Sequence, residues 1–320
     1  MADVTATDTP APEFHPPTAV LAIARRLEEA GHETWCVGGA VRDALLGLPH
    51  LDWDLATAAR PEQVRRLFRR TVPLGEKFGT IGVLDDQGVQ HEVTTFRHDV
   101  RTDGRHAEVE FGASLDEDLA RRDYTINAIA WSPSRRELHD PFGGRADLAR
   151  RLVRAVGNPR QRMVEDRLRA LRALRFAGRF DFAIEPDTWR AIVESSSALD
   201  RLSKERIQQE LVKTLEQVRS PSRSLELWKR SGAMKELLPS LAARSDWHLR
   251  AADGVAHPDS SDDPGIARRR TMIRLAAILC GMPPDHVTPL LSELRFSNRD
   301  VTRVTHLARQ GWAFRDRLAA

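Results

Sequence analysis

Two aspartates, Asp52 and Asp54, follow shortly after a glycine pair, Gly38-Gly39. In a strand, residues two apart face the same side, so the two carboxylates project together. Like charges that close repel, and one tends to keep its proton unless a cation sits between them. Two Mg²⁺ ions roughly 3.5–4 Å apart relieve that repulsion and assemble phosphoryl-transfer chemistry. Gly38-Gly39 ends an apolar run and opens a helical one, which frees backbone N–H groups and lets a phosphate approach without Cβ interference. Arg42, one helical turn beyond, can reach a triphosphate oxygen. Alone, an Asp-x-Asp is usually a solvated strand edge and a Gly-Gly usually a turn. In this order and at this spacing they are far more specific.

A second constellation lies further on. Glu165 to Arg179 carries Arg169, Arg172 and Arg175 at three-residue steps, along one slowly rotating helical face. Leu168, Leu171 and Leu174 form an adjoining apolar stripe. Read by itself, this is an amphipathic helix with a solvated basic face. Glu92, in the strand-like run Val89 to Phe96, is either a third carboxylate beside the aspartate pair or the salt-bridge partner of a neighbouring arginine.

These residues need elements to hold them. From Ala19 to Leu152, short apolar runs alternate with short helical ones. Leu21 to Ala30 reads as a helix stopped by Gly31. Thr34 to Val37 and Leu51 to Thr57 read as strands with a short helix between them, and Thr80 to Leu84 and Val89 to Phe96 as strands joined by the turn Asp85-Asp86-Gln87-Gly88. After about Leu152 the strand signal disappears. Helices are expected over Met163 to Arg179, Pro186 to Ser195, Ser203 to Gln217, Arg223 to Ser231, Thr271 to Leu279 and Asn298 to Gln310, with a mobile loop at Ala251 to Gly265. The fold class is α+β: a head with one mixed β-sheet, then an all-helical neck and body. The expected segments are a disordered lead-in at 1–18, a catalytic head at 19–152, a neck at 153–217 and a body at 218–320.

Composition sets the outer limits. The 320 residues, 41% hydrophobic, can bury a real core in two or more units. A formal net charge of +3, with 30% of residues charged, permits a phosphate-rich partner without demanding one. Cys36 and Cys280 sit in apolar runs and read as buried small hydrophobes, not a disulfide. The Pro-, Ala- and Thr-rich start is no signal peptide, and no stretch approaches membrane-spanning length, which points to a cytoplasmic protein.

The string Gly38-Gly39-Ala-Val-Arg42-Asp43-Ala-Leu-Leu-Gly47, then Asp52-Trp-Asp54, resembles the signature of bacterial tRNA nucleotidyltransferases (CCA-adding enzymes) and bacterial poly(A) polymerases. The resemblance continues through Asp118-Leu-Ala-Arg121-Arg122-Asp123, Asp140-Pro-Phe-Gly143-Gly144 and Glu165-Asp166-Arg-Leu-Arg169-Ala-Leu-Arg172-Ala-Leu-Arg175. It is weaker at Leu202-Ser-Lys-Glu205-Arg206. It implies a template-independent enzyme that uses Mg²⁺, CTP and ATP to build the 3′ end of tRNA, with no obligatory protein partner and no membrane.

Carried over residue by residue, the resemblance makes Asp52 and Asp54 the metal ligands and Arg122 a nucleotide contact. Asp166 and Arg169 would bind the Watson–Crick edge of the incoming base in place of a template, and Arg172 and Arg175 would contact nucleotide or phosphate. The chemistry is sensible, since a carboxylate accepts from the exocyclic amine that C and A both carry, while U and G oppose it with an oxygen. Asn127 is either a sugar or phosphate contact or a cap. Gly75-Glu76-Lys77-Phe78-Gly79-Thr80 resembles CCA-adding enzymes more than polyadenylating ones, and Asp99 to His106 occupies the position of the loop that helps relatives switch from C to A. Full CCA addition is favoured. A-only addition, poly(A) synthesis and a non-catalytic RNA-binding relative are the alternatives, with a small-molecule nucleotidyltransferase the weakest. Leu279-Cys280-Gly281 stands where a His-Asp phosphohydrolase module would place its metal ligands, so no second activity is expected.

Overall fold

A computed structural model of the chain describes residues 14–49, 52–75, 78–102, 107–255 and 263–319. They fall into two compact units, one within Met1–Arg101 and Ala107–Ala149, the other within Thr102–His106 and Arg150–Ala320.

The first unit runs α1 (Thr18–Glu29), β1 (Thr34–Val37), α2 (Gly39–Leu45), β2 (Asp54–Thr57), α3 (Pro61–Leu67), β3 (Thr71–Gly75), β4 (Thr80–Leu84), β5 (Gln90–Thr95), β6 (Arg97–Thr102), β7 (Ala107–Phe111), α4 (Leu115–Ala120), β8 (Ala130–Ser132), β9 (Glu137–His139) and α5 (Gly144–Ala149). Seven strands form one sheet in the order β3-β4-β5-β2-β1-β8-β9, while β6 and β7 make a separate pair. Only β2 and β5 run parallel among the paired strands of the large sheet, so it is mixed. β1 lies between β2 and β8, and all four of its residues are buried. That is why Thr34-Trp35-Cys36-Val37 reads as a short, nearly continuous apolar run.

The lead-in expected to be disordered is ordered from Phe14 onward. Phe14 stacks on Trp131 with ring centroids 4.9 Å apart and meets Trp53 edge-on at 6.3 Å. An aromatic ring with two indoles to cover outweighs the entropy of a Pro-rich segment. The start of the chain before Phe14, Glu76-Lys77 and Asp103 to His106 of the expected switching loop, and residues 256–262 of the expected mobile loop lie outside the described residues.

The second unit is built on β10 (Leu152–Val153), α6 (Pro159–Glu165), α7 (Leu168–Phe180), β11 (Ala183–Ile184), α8 (Pro186–Ser195), α9 (Lys204–Gln217), α10 (Pro221–Arg230), α11 (Ala233–Leu237), α12 (Pro239–Ala242), α13 (Asp246–Arg250), α14 (Pro264–Leu279), α15 (Pro284–Glu293) and α16 (Asn298–Ala319). Among the described residues it departs from all-helical only in the two-residue parallel pairing of β10 with β11. No helix among the described residues is long and apolar enough to cross a membrane.

The single helix expected over Met163 to Arg179 is two helices. Asp166 has an extended backbone (φ −147°, ψ 106°), and its Oδ1 accepts from the Leu168 N–H at 3.0 Å. A short carboxylate side chain competes with the helical ladder and starts a new turn instead. The expected solvated basic face is overturned as well. Leu171 and Leu174 are fully buried, but Arg169 and Arg175 are also less than a tenth exposed, because α7 packs against α9 and α10.

Gly178 permits the contact with α10, since a Cβ there would lie 1.9 Å from the Ser224 hydroxyl and 3.2 Å from its backbone nitrogen. In a solvated helix Gly178→Ala would gain about 1 kcal/mol from propensity. Here we expect a net loss of about 1–3 kcal/mol from overpacking, read as a lower urea midpoint at unchanged slope. A midpoint that rises would show that α10 yields without cost.

Candidate active site

The buried strand β1 delivers the chain to a sharp turn. Gly38 has φ +76°, in the left-handed region that favours glycine, and a Cβ there would lie 3.0 Å from Arg122 Nη1. The position therefore requires glycine twice over, for its backbone and for its neighbour. Gly39 then starts α2. Across the ladder Val37 pairs with Asp54, so the first residue of β2 sits beside this turn.

Asp52 and Trp53 precede β2 and lie outside the strand proper. The alternation survives, with Trp53 buried and Asp52 exposed. On the other side of β2, Leu55 pairs with Val93 of parallel β5, which puts Glu92 next to Asp54 on the same face of the sheet. Burial is the main reason that the Asp54 carboxyl is pushed up to about 6. The Glu92 carboxylate adds to this, the Arg122 guanidinium opposes it, and Asp52 contributes in the same direction as Glu92. Among the described residues no three His, Cys, Asp or Glu side chains stand close enough to hold an ion. The candidate metal donors are the aspartate pair, with Glu92 beside them as a third carboxylate or a neighbouring charge.

Arg42 lies beside the turn, where a Cβ on Gly39 would be 3.6 Å from its Nη2. It is buried, with Nε donating to Asp43 Oδ1 at 2.8 Å and Nη1 to Asn127 Oδ1. Asn127 Nδ2 in turn donates to Asp123 Oδ1 at 2.9 Å. Arg42 and Asn127 tie α2 to the short 3₁₀ turn Thr125–Asn127. Burying a guanidinium demands this full set of acceptors.

Arg122 stays at the turn, held by a residue not singled out from the sequence. Asp118, 1% exposed, accepts from Arg122 at 3.1 Å and from Arg121 at 2.8 Å. Burial alone would raise its carboxyl, but the two arginines hold it below its usual value. The signal was available, because Asp118 stands three and four residues before this arginine pair at the C-terminal end of α4.

In the second unit, Arg169 donates to Glu165 Oε2 at 2.7 Å and to the Arg162 carbonyl at 3.2 Å. Arg162 grips the other Glu165 oxygen at 2.9 Å. Asp166 Oδ2 accepts from Arg206 Nη2 at 2.8 Å. Arg172 is half-buried, its guanidinium 5.3 Å from the Phe176 ring centroid. Arg175, 4% exposed, donates to Glu210 and, at 2.9 Å, to Gln217, which makes it a clamp between α7 and α9.

Residues 34–154 match the family described as "Poly A polymerase head domain", and residues 181–244 the one described as "Probable RNA and SrmB- binding site of polymerase A". Over 286 residues the chain is 37% identical to a CCA-adding enzyme of Lactobacillus delbrueckii subsp. bulgaricus, covering 88% of this chain and 68% of that one. The chain belongs to the family of CCA-adding enzymes and bacterial poly(A) polymerases. It is 46% identical over 200 residues to the CCA-adding enzyme of Ligilactobacillus salivarius, covering 61% of this chain but 48% of that protein, so it spans about half the length of that relative. A crystal structure of Bacillus stearothermophilus CCA-adding enzyme in complex with CTP superposes with a TM-score of 0.77 at 38% identity, over 91% of this chain and 69% of that one. The mixed-sheet head followed by helices is the family's fold.

The Asp54 environment carries a pH signature. Its carboxyl binds a proton more tightly folded than unfolded, so this group costs stability as pH rises from 3.8 to about 6, and the whole cost persists above that. The shift corresponds to at most about 3 kcal/mol. Asp54→Asn should therefore raise the melting temperature in EDTA at pH 8, with the advantage shrinking to nothing near pH 4. An advantage that does not change with pH would sink this account.

Proposed function

We propose that the chain is a template-independent nucleotidyltransferase that adds C, C and A to the 3′ end of tRNA from CTP and ATP, releasing pyrophosphate, in the cytoplasm. The observation that carries this reading is Asp54 seated across from Val37 at the Gly38 turn, with Asp52, Glu92 and Arg122 around it. The names of the relatives, one of them solved with CTP, support the substrates. Within this reading residues 19–152 are the catalytic head, 153–217 the neck that reads the base and 218–320 the body that holds tRNA by shape and phosphate contacts.

A divalent cation fits this donor set, because a positive charge between Asp52 and Asp54 removes the repulsion that pushes the Asp54 carboxyl up. Two carboxylates with substrate phosphates completing the shell suit Mg²⁺, which supplies charge neutralisation at the reacting phosphate when bound. The chain's own residues position the rest. Gly38 leaves space where a Cβ would meet the Arg122 guanidinium, and Arg122, tethered by Asp118, adds positive charge at the turn. The tRNA 3′-hydroxyl attacks the α-phosphate in line and pyrophosphate leaves, a reaction governed by positioning and electrostatics. Asp166 accepts from the exocyclic amine of C or A and Arg169 donates to ring acceptors, while Arg172 lies further along the same helix. Each Asp166 oxygen keeps a second acceptor position for this purpose beyond its bonds to Leu168 and Arg206.

Purified protein incubated with tRNA lacking its 3′ end, CTP, ATP and Mg²⁺ should yield products that sequencing reads as CCA. Asp52→Ala and Asp54→Ala should each drop addition to background while retaining tRNA binding. Addition of A alone, or a run of A, would reassign the product within the family. No addition by the wild-type chain, or normal turnover by either variant, would overturn the proposal.

A further inference from the structure

The helix α14 carries Arg270 and Arg274 one turn apart on its inward face, together with Ala267, Thr271, Leu275 and Ile278. Arg270 is 8% exposed and Arg274 is fully buried. Neither belongs to the aspartate pair, the Gly38 turn or the α6–α7 segment.

Their surroundings treat the two arginines differently. Arg274 Nη1 donates to the Leu215 and Val218 carbonyls at 2.7 and 2.9 Å, and Nη2 to those of Arg219 and Val255 at 3.0 and 3.1 Å. It thereby collects carbonyls left over at the C-terminal end of α9. Arg270 has no such set. Its Nε and Nη1 are shut off from solvent and meet no acceptor among the described residues, and Arg274 Nε is unpaired as well. Burial and the charge on Arg270 hold Arg274 below its usual value, and Asp253 offsets this only in part. Both Asp253 oxygens are already engaged by Ser222, at 3.0 Å from its N–H and 2.6 Å from its hydroxyl.

A buried lysine can escape such a place by losing its proton, but a guanidinium cannot. Folding therefore encloses a permanent charge with two unpaired N–H groups, an arrangement that an anion completes. The planar fork of arginine matches the oxygens of a phosphate. In sequence α14 holds four arginines and no Asp or Glu, which favours a multiply charged anion over a single carboxylate. We propose that Arg270, backed by Arg274, forms an oxyanion site in the second unit that takes a phosphate group. The phosphate is either free or part of the backbone of a bound RNA, since both present the same oxygens. The site uses none of the residues assigned to nucleotide addition, and it stands whether or not the chain adds CCA.

The test uses the full chain. In phosphate-free buffer Arg270→Met, which keeps the length and removes the charge, should melt higher than the wild type, because an uncompensated buried charge is gone. Inorganic phosphate at millimolar concentration and constant ionic strength should then raise the wild-type melting temperature by about 2–4 °C more than that of Arg270→Met. Comparing the two proteins cancels the general stabilisation that phosphate gives by exclusion from the surface. Arg270→Lys should keep part of the gain, and it replaces the methionine variant if that one folds poorly. An RNA source has its own readout. Binding of tRNA lacking its 3′ end, titrated against salt, should lose about 1 from the slope of log K against log salt in Arg270→Met. A phosphate-dependent gain without a change of slope assigns the site to free phosphate, and a change of slope without the gain assigns it to the RNA backbone. Equal phosphate responses together with equal slopes would overturn the site. So would a wild type that melts higher than Arg270→Met without phosphate, since its guanidinium would then already have its partner.

Discussion

Asp54 and Glu92 repel each other on one face of a sheet, with Asp52 adding to the repulsion from just outside it, and the head is arranged around that repulsion. Asp54 begins an interior strand between β1 and β5, so its backbone holds it beside Glu92. Arg122 offsets part of the charge from the far side of the Gly38 turn, and it stays there because Asp118 holds it from below. The buried Arg42–Asn127–Asp123 chain then keeps α2 against the segment that carries Arg122. Each of these groups is expensive to bury alone and affordable as a connected network.

The chemistry-bearing residues were largely legible because their spacing encodes geometry directly. Thr34-Trp35-Cys36-Val37, Gly38-Gly39 and Asp52-Trp53-Asp54 show a buried strand, a turn and a same-face pair without reference to the rest of the chain. The strands β3, β8 and β9 were not legible. Thr71-Val-Pro-Leu-Gly75 contains a proline and lies at a sheet edge, where pattern is weak, and β8 and β9 are three residues each. The bond between Arg42 and Asn127 was not legible, because a cation or amide beside a glycine turn says nothing about whether its partners are protein or phosphate. The partners come from residues 85 positions apart, a separation that periodicity does not carry.

The arginine-rich segment illustrates the same limit at a helix. Three arginines at three-residue steps predict a common face, but that face can meet water, a nucleotide or a carboxylate of another helix. Glu210, on α9, is one such carboxylate, and it meets Arg175. Asp166 escaped the helical pattern for a local reason, since its side chain competes with its own backbone. The break separates the residue proposed to read the base from the rigid body of α7, and leaves its orientation to distant groups.

Trp53 lies between the two metal-binding candidates in sequence, and its indole points to the opposite side of the chain, into the company of Phe14 and Trp131. The aromatic cluster is thus the anchor from which Asp52 and Asp54 hang. Phe14 belongs to a stretch whose composition invites removal when a shorter chain is prepared for expression. A truncation placed just before the first helix would strip one wall from that anchor and leave an indole edge in water. The carboxylate pair would then ride on a looser backbone, so the boundary chosen at the bench decides how faithfully the isolated protein reports the chemistry of the whole.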